Sequence, residues 1–139
     1  MARLARFVAI LTLAALPLVA WSTPAQAATI TASPASVGVG GQVTLSGDVL
    51  VNGTPACEVP GVVTLISPAF DGLGDFGGVG AVTADADAGG GFTTTVTLPG
   101  TTAPGTYSIS GRCGGGDLGV TASLSVTAQT VTIPPTLTG

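Results

Sequence analysis

"TAPGTYSISGRCGGGDLGVTASLSV", residues 102–126, decides the fold. Tyr107, Ile109, Gly111 and Cys113 share one parity before its glycine cluster, and Val120, Ala122, Leu124 and Val126 share one parity after it. Each half therefore reads as a strand with one dry and one wet face. "CGGGDLG" at 113–119 reads as the turn that joins them. The three glycines bear a superficial likeness to a phosphate-cradling loop. They stand between strands, however, with no helix amino terminus and no lysine to receive an anion, so a corner is expected there before a site.

The same period of two runs outward along the chain. In "QVTLSGDV", Val43, Leu45, Gly47 and Val49 alternate with Gln42, Thr44, Ser46 and Asp48; in "FTTTVTL", Phe92, Thr94, Val96 and Leu98 alternate with Thr93, Thr95 and Thr97. "GVVTLIS" is apolar on both parities and is expected to be a central strand. Glycine- and proline-rich turns separate these runs at short intervals, and no segment carries a helical stripe. The spacing predicts an all-β, immunoglobulin-like antiparallel β-sandwich of about seven strands rather than a barrel, with strands over 29–33, 42–49, 61–67, 80–85, 91–98, 105–112 and 119–127. "NGT" at 52–54 reads as a hairpin turn rather than a glycosylation acceptor.

Tyr107 stands near the start of the sixth strand and on its inward parity. That is the place of a tyrosine corner, where the phenol bonds to nearby backbone; a structural tyrosine is expected rather than a catalytic one.

"ITASPASVGVGGQVTLSG", "VTADADAGGGFTTTVTLP" and "TAPGTYSISGRCGG" occur in an order that resembles the bacterial immunoglobulin-like modules of secreted actinobacterial proteins. The resemblance covers nearly all of Ala28 to Thr127, and it implies a fold more than an activity. A narrower similarity is to the enediyne apoproteins of the neocarzinostatin type, which share the proline-serine opening strand and the "VTADA" phrase. Those carry two short-range disulfides around a chromophore cleft, whereas this chain has two cysteines far apart.

The amino terminus reads as a secretory signal peptide over residues 1–27: Arg3 and Arg6, an apolar run from Phe7 to Trp21, and the ending Ala25-Gln26-Ala27. Cleavage is expected after Ala27, leaving a sandwich over 28–128 and a threonine- and proline-rich tail or linker over 129–139. The mature chain would be of single-domain size and extracellular or associated with the cell envelope. Its one cation is Arg112, against Asp48, Glu58, Asp71, Asp75, Asp85, Asp87 and Asp117, and it has no lysine or histidine. Nucleic-acid binding and attachment to anionic membranes rest on cationic side chains, so neither is expected. In an oxidising compartment Cys57 and Cys113 are expected to form a disulfide.

Without histidine, and with both cysteines committed, the usual routes to a general base, an activated serine or a zinc site are missing. Asp85 and Asp87 begin "DADAGGGFTTTV" like a calcium loop, but valine stands where the bidentate glutamate belongs, and a hairpin turn is expected instead. Neither a metal nor a cofactor is expected, and a carboxylate-based glycan hydrolase has no discernible constellation. "SPAFDGLGDFGGVG", residues 67–80, is different: Phe70, Leu73 and Phe76 lie among glycines with Asp71 and Asp75. Such side chains either fold back over one end of the sandwich, the expected outcome, or stay exposed for a partner. This loop, together with Gly114, Gly115, Gly116, Asp117 and Leu118, is the expected binding region if the body of the protein binds anything. The sequence thus points to a secreted, non-enzymatic structural or interaction module with a protein or glycan partner at the envelope. The alternative is a small-molecule carrier of the apoprotein type, with a cleft at one end of the sandwich.

Overall fold

The computed structural model describes residues 20–130 and 132–136. Residues 1–19, which hold most of the expected signal peptide, and four tail residues (131 and 137–139) lie outside the described residues. Residues 20–27 are exposed and have no regular structure.

Eleven strands follow: β1 (Thr29–Ser33), β2 (Ser36–Gly38), β3 (Gln42–Asp48), β4 (Leu50–Val51), β5 (Thr54–Pro55), β6 (Gly61–Ile66), β7 (Asp75–Phe76), β8 (Val79–Ala86), β9 (Gly91–Thr97), β10 (Gly105–Cys113) and β11 (Gly116–Thr127). Among the described residues one 3-10 turn, Pro68–Phe70, interrupts them. The expected count of seven is corrected to eleven. Seven strands are long and match the alternating runs, while β2, β4, β5 and β7 are two or three residues long, too short for alternation to register.

The expectation of two separate sheets also needs correction. Hydrogen bonding runs through one nine-stranded sheet in the order β1-β3-β9-β8-β6-β10-β11-β2, with β7 paired to β8; β4 and β5 form a separate hairpin. The β1-β3-β9 half joins the rest through one bridging pair, Ala86 opposite Phe92. The sheet curls so far that β1 lies against β11, giving a nearly barrel-like closure. Every pairing is antiparallel except that of β2 with the end of β11.

The curl creates the core, because inward-facing residues of the two halves meet. Val43, Leu45, Phe92 and Val96 come from β3 and β9, and Val63, Leu65, Ile109, Leu124 and Val126 from β6, β10 and β11. Their outward neighbours on β3 and β9 are threonine, serine and glutamine, some linked across strands, as by Thr44 and Thr95 (3.3 Å) and from Gln42 Nε2 to Thr97 Oγ1 (3.2 Å). β6 is central, between β8 and β10, yet its apolar second face is not covered throughout, and Val62 remains 54% exposed.

Cys57 and Cys113 are joined in a disulfide that ties the loop before β6 to the end of β10. Beside it, Gly114 and Gly115 form a two-residue hairpin turn with φ of 58° and 84°. A type I′ turn needs positive φ at both positions, which glycine supplies without strain. Beyond the turn, the β10–β11 register shifts between Ser110 and Arg112, with β11 bulging around Leu118–Val120.

Candidate interaction surface

The segment after β6 is built by local hydrogen bonds. Ser67 caps the 3-10 turn, its Oγ accepting from Ala69 N at 3.3 Å, and its own N–H donates to Gly80 O at 2.9 Å. Leu73 N–H donates to Phe70 O (3.0 Å), Ala81 N–H to Gly74 O (3.1 Å), and Gly80 N–H to Asp71 Oδ1 (2.8 Å). Thr102 Oγ1 donates to Ala69 O (3.2 Å), so the turn before β10 holds the base of this segment. Gly80 is required by close approach: a Cβ there would fall on the Phe70 carbonyl carbon and Asp71 nitrogen. The segment is an ordered, folded-back hairpin.

That geometry separates its three large apolar residues. Phe70 ends the 3-10 turn with its side chain in the core, fully buried. Leu73 and Phe76 remain 47% and 41% exposed. Leu73, Gly74, Asp75 and Phe76 overhang the sheet, and with Thr64, Ala81, Val82 and Thr83 they enclose a groove of about 450 Å³. A second hollow of about 460 Å³ on the loop is lined by Asp71, Asp75 and glycines around Leu73.

Arg112 completes the surface. It pairs with Thr64 on one side and Asp117 on the other, and its guanidinium carbon lies 5.3 Å from the centroid of the Phe76 ring. A cation over a ring at this distance contributes about 0.5–1 kcal/mol at an exposed site. Its Nε is buried without a hydrogen-bond partner, and the guanidinium lies against the Phe76 ring. The outward parity of Arg112 follows from the alternation of β10. Its landing on Phe76 does not, because that depends on where a glycine-rich loop folds.

Other expected site residues are placed elsewhere. Leu118 is only 6% exposed and packs in the core beside Gly111, so it has no part in a binding loop; it shares the inward parity of Val120, Ala122, Leu124 and Val126, which the bulge, where β11 runs two residues longer than its partner strand, leaves unchanged. Gly114 abuts Cys57, and Asp117 Oδ1 accepts from Gly119 N–H at 2.7 Å. The "CGGGDLG" stretch is therefore a corner built on the disulfide. Tyr107 is half-buried against the core, and its hydroxyl donates to Ala103 O at 2.6 Å, four residues upstream.

Asp85 and Asp87 border a hollow of about 560 Å³ with Asp48, Thr29 and Thr93. Asp87 Oδ1 accepts from Gly89 N–H (2.8 Å) and Gly91 N–H (3.1 Å), which closes the β8–β9 turn. Asp48 bonds to Thr29 Oγ1 (2.7 Å) and to Leu50 N–H (3.0 Å). Among the described residues no three metal-ligating side chains converge, and no helix is long and apolar enough to cross a membrane.

The site and fold define an all-β protein with a small ordered apolar surface. No family model matches the chain, and no curated protein does. Solved structures that resemble it include the Pseudomonas fluorescens alkylpurine DNA glycosylase AlkC bound to DNA containing an abasic site analog. That match has a TM-score of 0.48 and 18% identity, over 70% of this chain and 29% of that one, so the present chain spans under a third of the glycosylase. Chains of the titin M10–obscurin-like 1 immunoglobulin complex also resemble it. A mutant form of that complex gives a TM-score of 0.40 and 20% identity over 78% of this chain and 99% of that one, and the complex in space group P1 gives 0.36 and 23% over 70% and 87%.

Proposed function

We propose that this chain is an immunoglobulin-like, non-enzymatic interaction module, exported to the cell envelope or beyond, that recognises a partner through the surface formed by Val62, Leu73, Phe76 and Arg112. The observation that carries the reading is the exposure of Leu73 and Phe76 on a hairpin whose backbone is held by local hydrogen bonds. The core is already complete with Phe70, so these two side chains are surplus to it. Large apolar residues held rigidly at the surface mark interaction sites, and aromatic anchors dominate interface energies.

The absence of histidine from the sequence and the local engagement of Asp48, Asp71 and Asp87 with nearby groups support a binding role rather than catalysis. The groove under the loop is lined in part by threonines and Asp75, which suits a polypeptide surface better than an apolar small molecule needing an apolar cavity. Export rests on the leader and on the disulfide, which an oxidising compartment preserves.

The test is the double variant Leu73→Ser, Phe76→Ser, assayed for stability and for retention of envelope components beside the parent protein. Unfolding at a nearly unchanged denaturant concentration with loss of specific retention is expected. Retention equal to that of the parent would refute the assignment.

A further inference from the structure

We infer that the surface around Phe76 accepts a polypeptide segment that presents an apolar side chain flanked by lysine or arginine. The inference rests on the interaction-module reading above and names the chemistry of the partner. It starts from the charges that surround the apolar anchors. Asp71 and Asp75 lie on the same loop as Leu73 and Phe76, and Asp85 stands directly beside Val62 on the outward face of β8 and β6. Asp71 and Asp75 are each positioned through Oδ1, by Gly80 N–H at 2.8 Å and Gly78 N–H at 3.3 Å. Their second oxygens are left to meet an incoming donor in a fixed orientation.

The nearby positive charge does not cancel this field. Arg112 is the one cation among the described residues, it is laid over the Phe76 ring, and Asp117 is its register partner on β11. The contact orients the ring before a partner arrives, leaving an edge and part of a face open to a second apolar or cationic group. The groove of about 450 Å³ beside it, floored by Thr64 and Thr83, has room for an apolar side chain between Leu73 and Phe76. An apolar anchor with basic neighbours would therefore meet Leu73 and Phe76 at its centre and Asp71 and Asp75 at its rim, with Val62 and Asp85 further along β6 and β8 on the same outward face. That is the arrangement in which burial supplies affinity and charge supplies selectivity.

Two other occupants fit less well. A second copy would set one carboxylate-rich rim against another, and like charges across an interface oppose association. A neutral glycan could bond to Asp75 and the threonines, but it would leave Leu73 and Val62 facing hydroxyl groups, and an anionic glycan would be repelled by the rim.

Panning a displayed random peptide library against the immobilised full chain, with Phe76→Ser as the counter-selection, tests the inference. Fluorescence anisotropy then measures the enriched peptides. Enrichment of sequences with an apolar residue flanked by lysine or arginine is expected, with affinity lost in Phe76→Ser and reduced at least about tenfold in Asp75→Asn, Asp85→Asn and by raising salt from about 50 to 500 mM. The rim variant keeps the apolar anchors, so it reads the charge requirement alone. Enrichment of neutral or acidic sequences that still depend on Phe76 would overturn the partner chemistry while leaving the surface in place. Peptides that bind equally to parent and Phe76→Ser, or no enrichment at all, would overturn both. Phe76-dependent binding of a neutral oligosaccharide, or Phe76-dependent dimerisation on sedimentation, would each replace the basic polypeptide as the occupant.

Discussion

Replacing both cysteines by alanine removes the one covalent constraint of the fold and gives the best-defined energetic test of it. Cys57 and Cys113 are 56 residues apart. Closing a loop of that length in the unfolded chain lowers its entropy enough to stabilise the folded state by about 4 kcal/mol in the chain-entropy treatment. Cys113 is buried and faces Val63 on β6, so truncating it adds about 1 kcal/mol of lost packing. Cys57 sits against the Gly114 turn and is only partly buried, so its truncation adds less. The sum, about 5 kcal/mol, is comparable to the entire stability of many domains of this size. The parent protein should therefore show a cooperative urea transition, whereas the double variant should be largely unfolded at about 37 °C or have its midpoint lowered by about 2–3 M. Far-UV circular dichroism during urea titration, with the parent protein in its disulfide-bonded form, measures both. A loss below about 1 kcal/mol would refute the reasoning, since it would mean that the unfolded chain already holds residues 57 and 113 together or that the bridge strains the native state.

Three smaller perturbations probe the elements that shape the fold. Gly47→Ala should destabilise by about 3 kcal/mol in equilibrium denaturation, because a Cβ there runs into the Thr29 carbonyl and the Phe92 ring; a neutral result would mean that β1 does not lie where described. Asp87→Ala should cost about 1–2 kcal/mol by the same assay, through loss of the two N–H contacts that close the β8–β9 turn. Tyr107→Phe should cost about 0.5–1 kcal/mol and leave the circular dichroism spectrum unchanged, because the bond to Ala103 O lies at an exposed position.

Alternation was the strong signal in this sequence. It located the seven long strands to within a few residues, since Val43, Leu45, Phe92, Val96, Ile109 and Leu124 each have to face one core. It could not resolve the short strands, or the parallel join of β2 to β11, which depends on residues about 90 apart in the chain meeting after the sheet has curled. Nor could it tell that Ala86 and Phe92 bridge the halves into a single sheet, because one backbone pair leaves no trace in side-chain type. Both parities of β6 are apolar, yet Val62 faces outward; hydrophobicity marks a face as apolar without saying what covers it.

The candidate surface was legible only in part. The stretch 67–80 stood out because large apolar residues among glycines and aspartates fit no strand pattern. Which of them is buried was decided locally by Ser67, Pro68 and Gly80, which set the 3-10 turn and fold the hairpin so that Phe70 enters the core while Leu73 and Phe76 do not. Leu118 shows the converse: it stands next to a glycine turn, yet it shares the inward parity of Val120, Leu124 and Val126, so the alternation alone already directed it into the core.

Amide hydrogen exchange on the disulfide-bonded protein, alone and mixed with envelope fraction, tests the central claim most directly because it needs no purified partner. The account predicts added protection confined to residues 61–64, 72–85 and 110–113, the segments that carry Val62, Leu73, Phe76, the groove floor and Arg112. Protection falling instead on the threonine-covered outer face of β3 and β9, or no added protection anywhere in the chain, would contradict it.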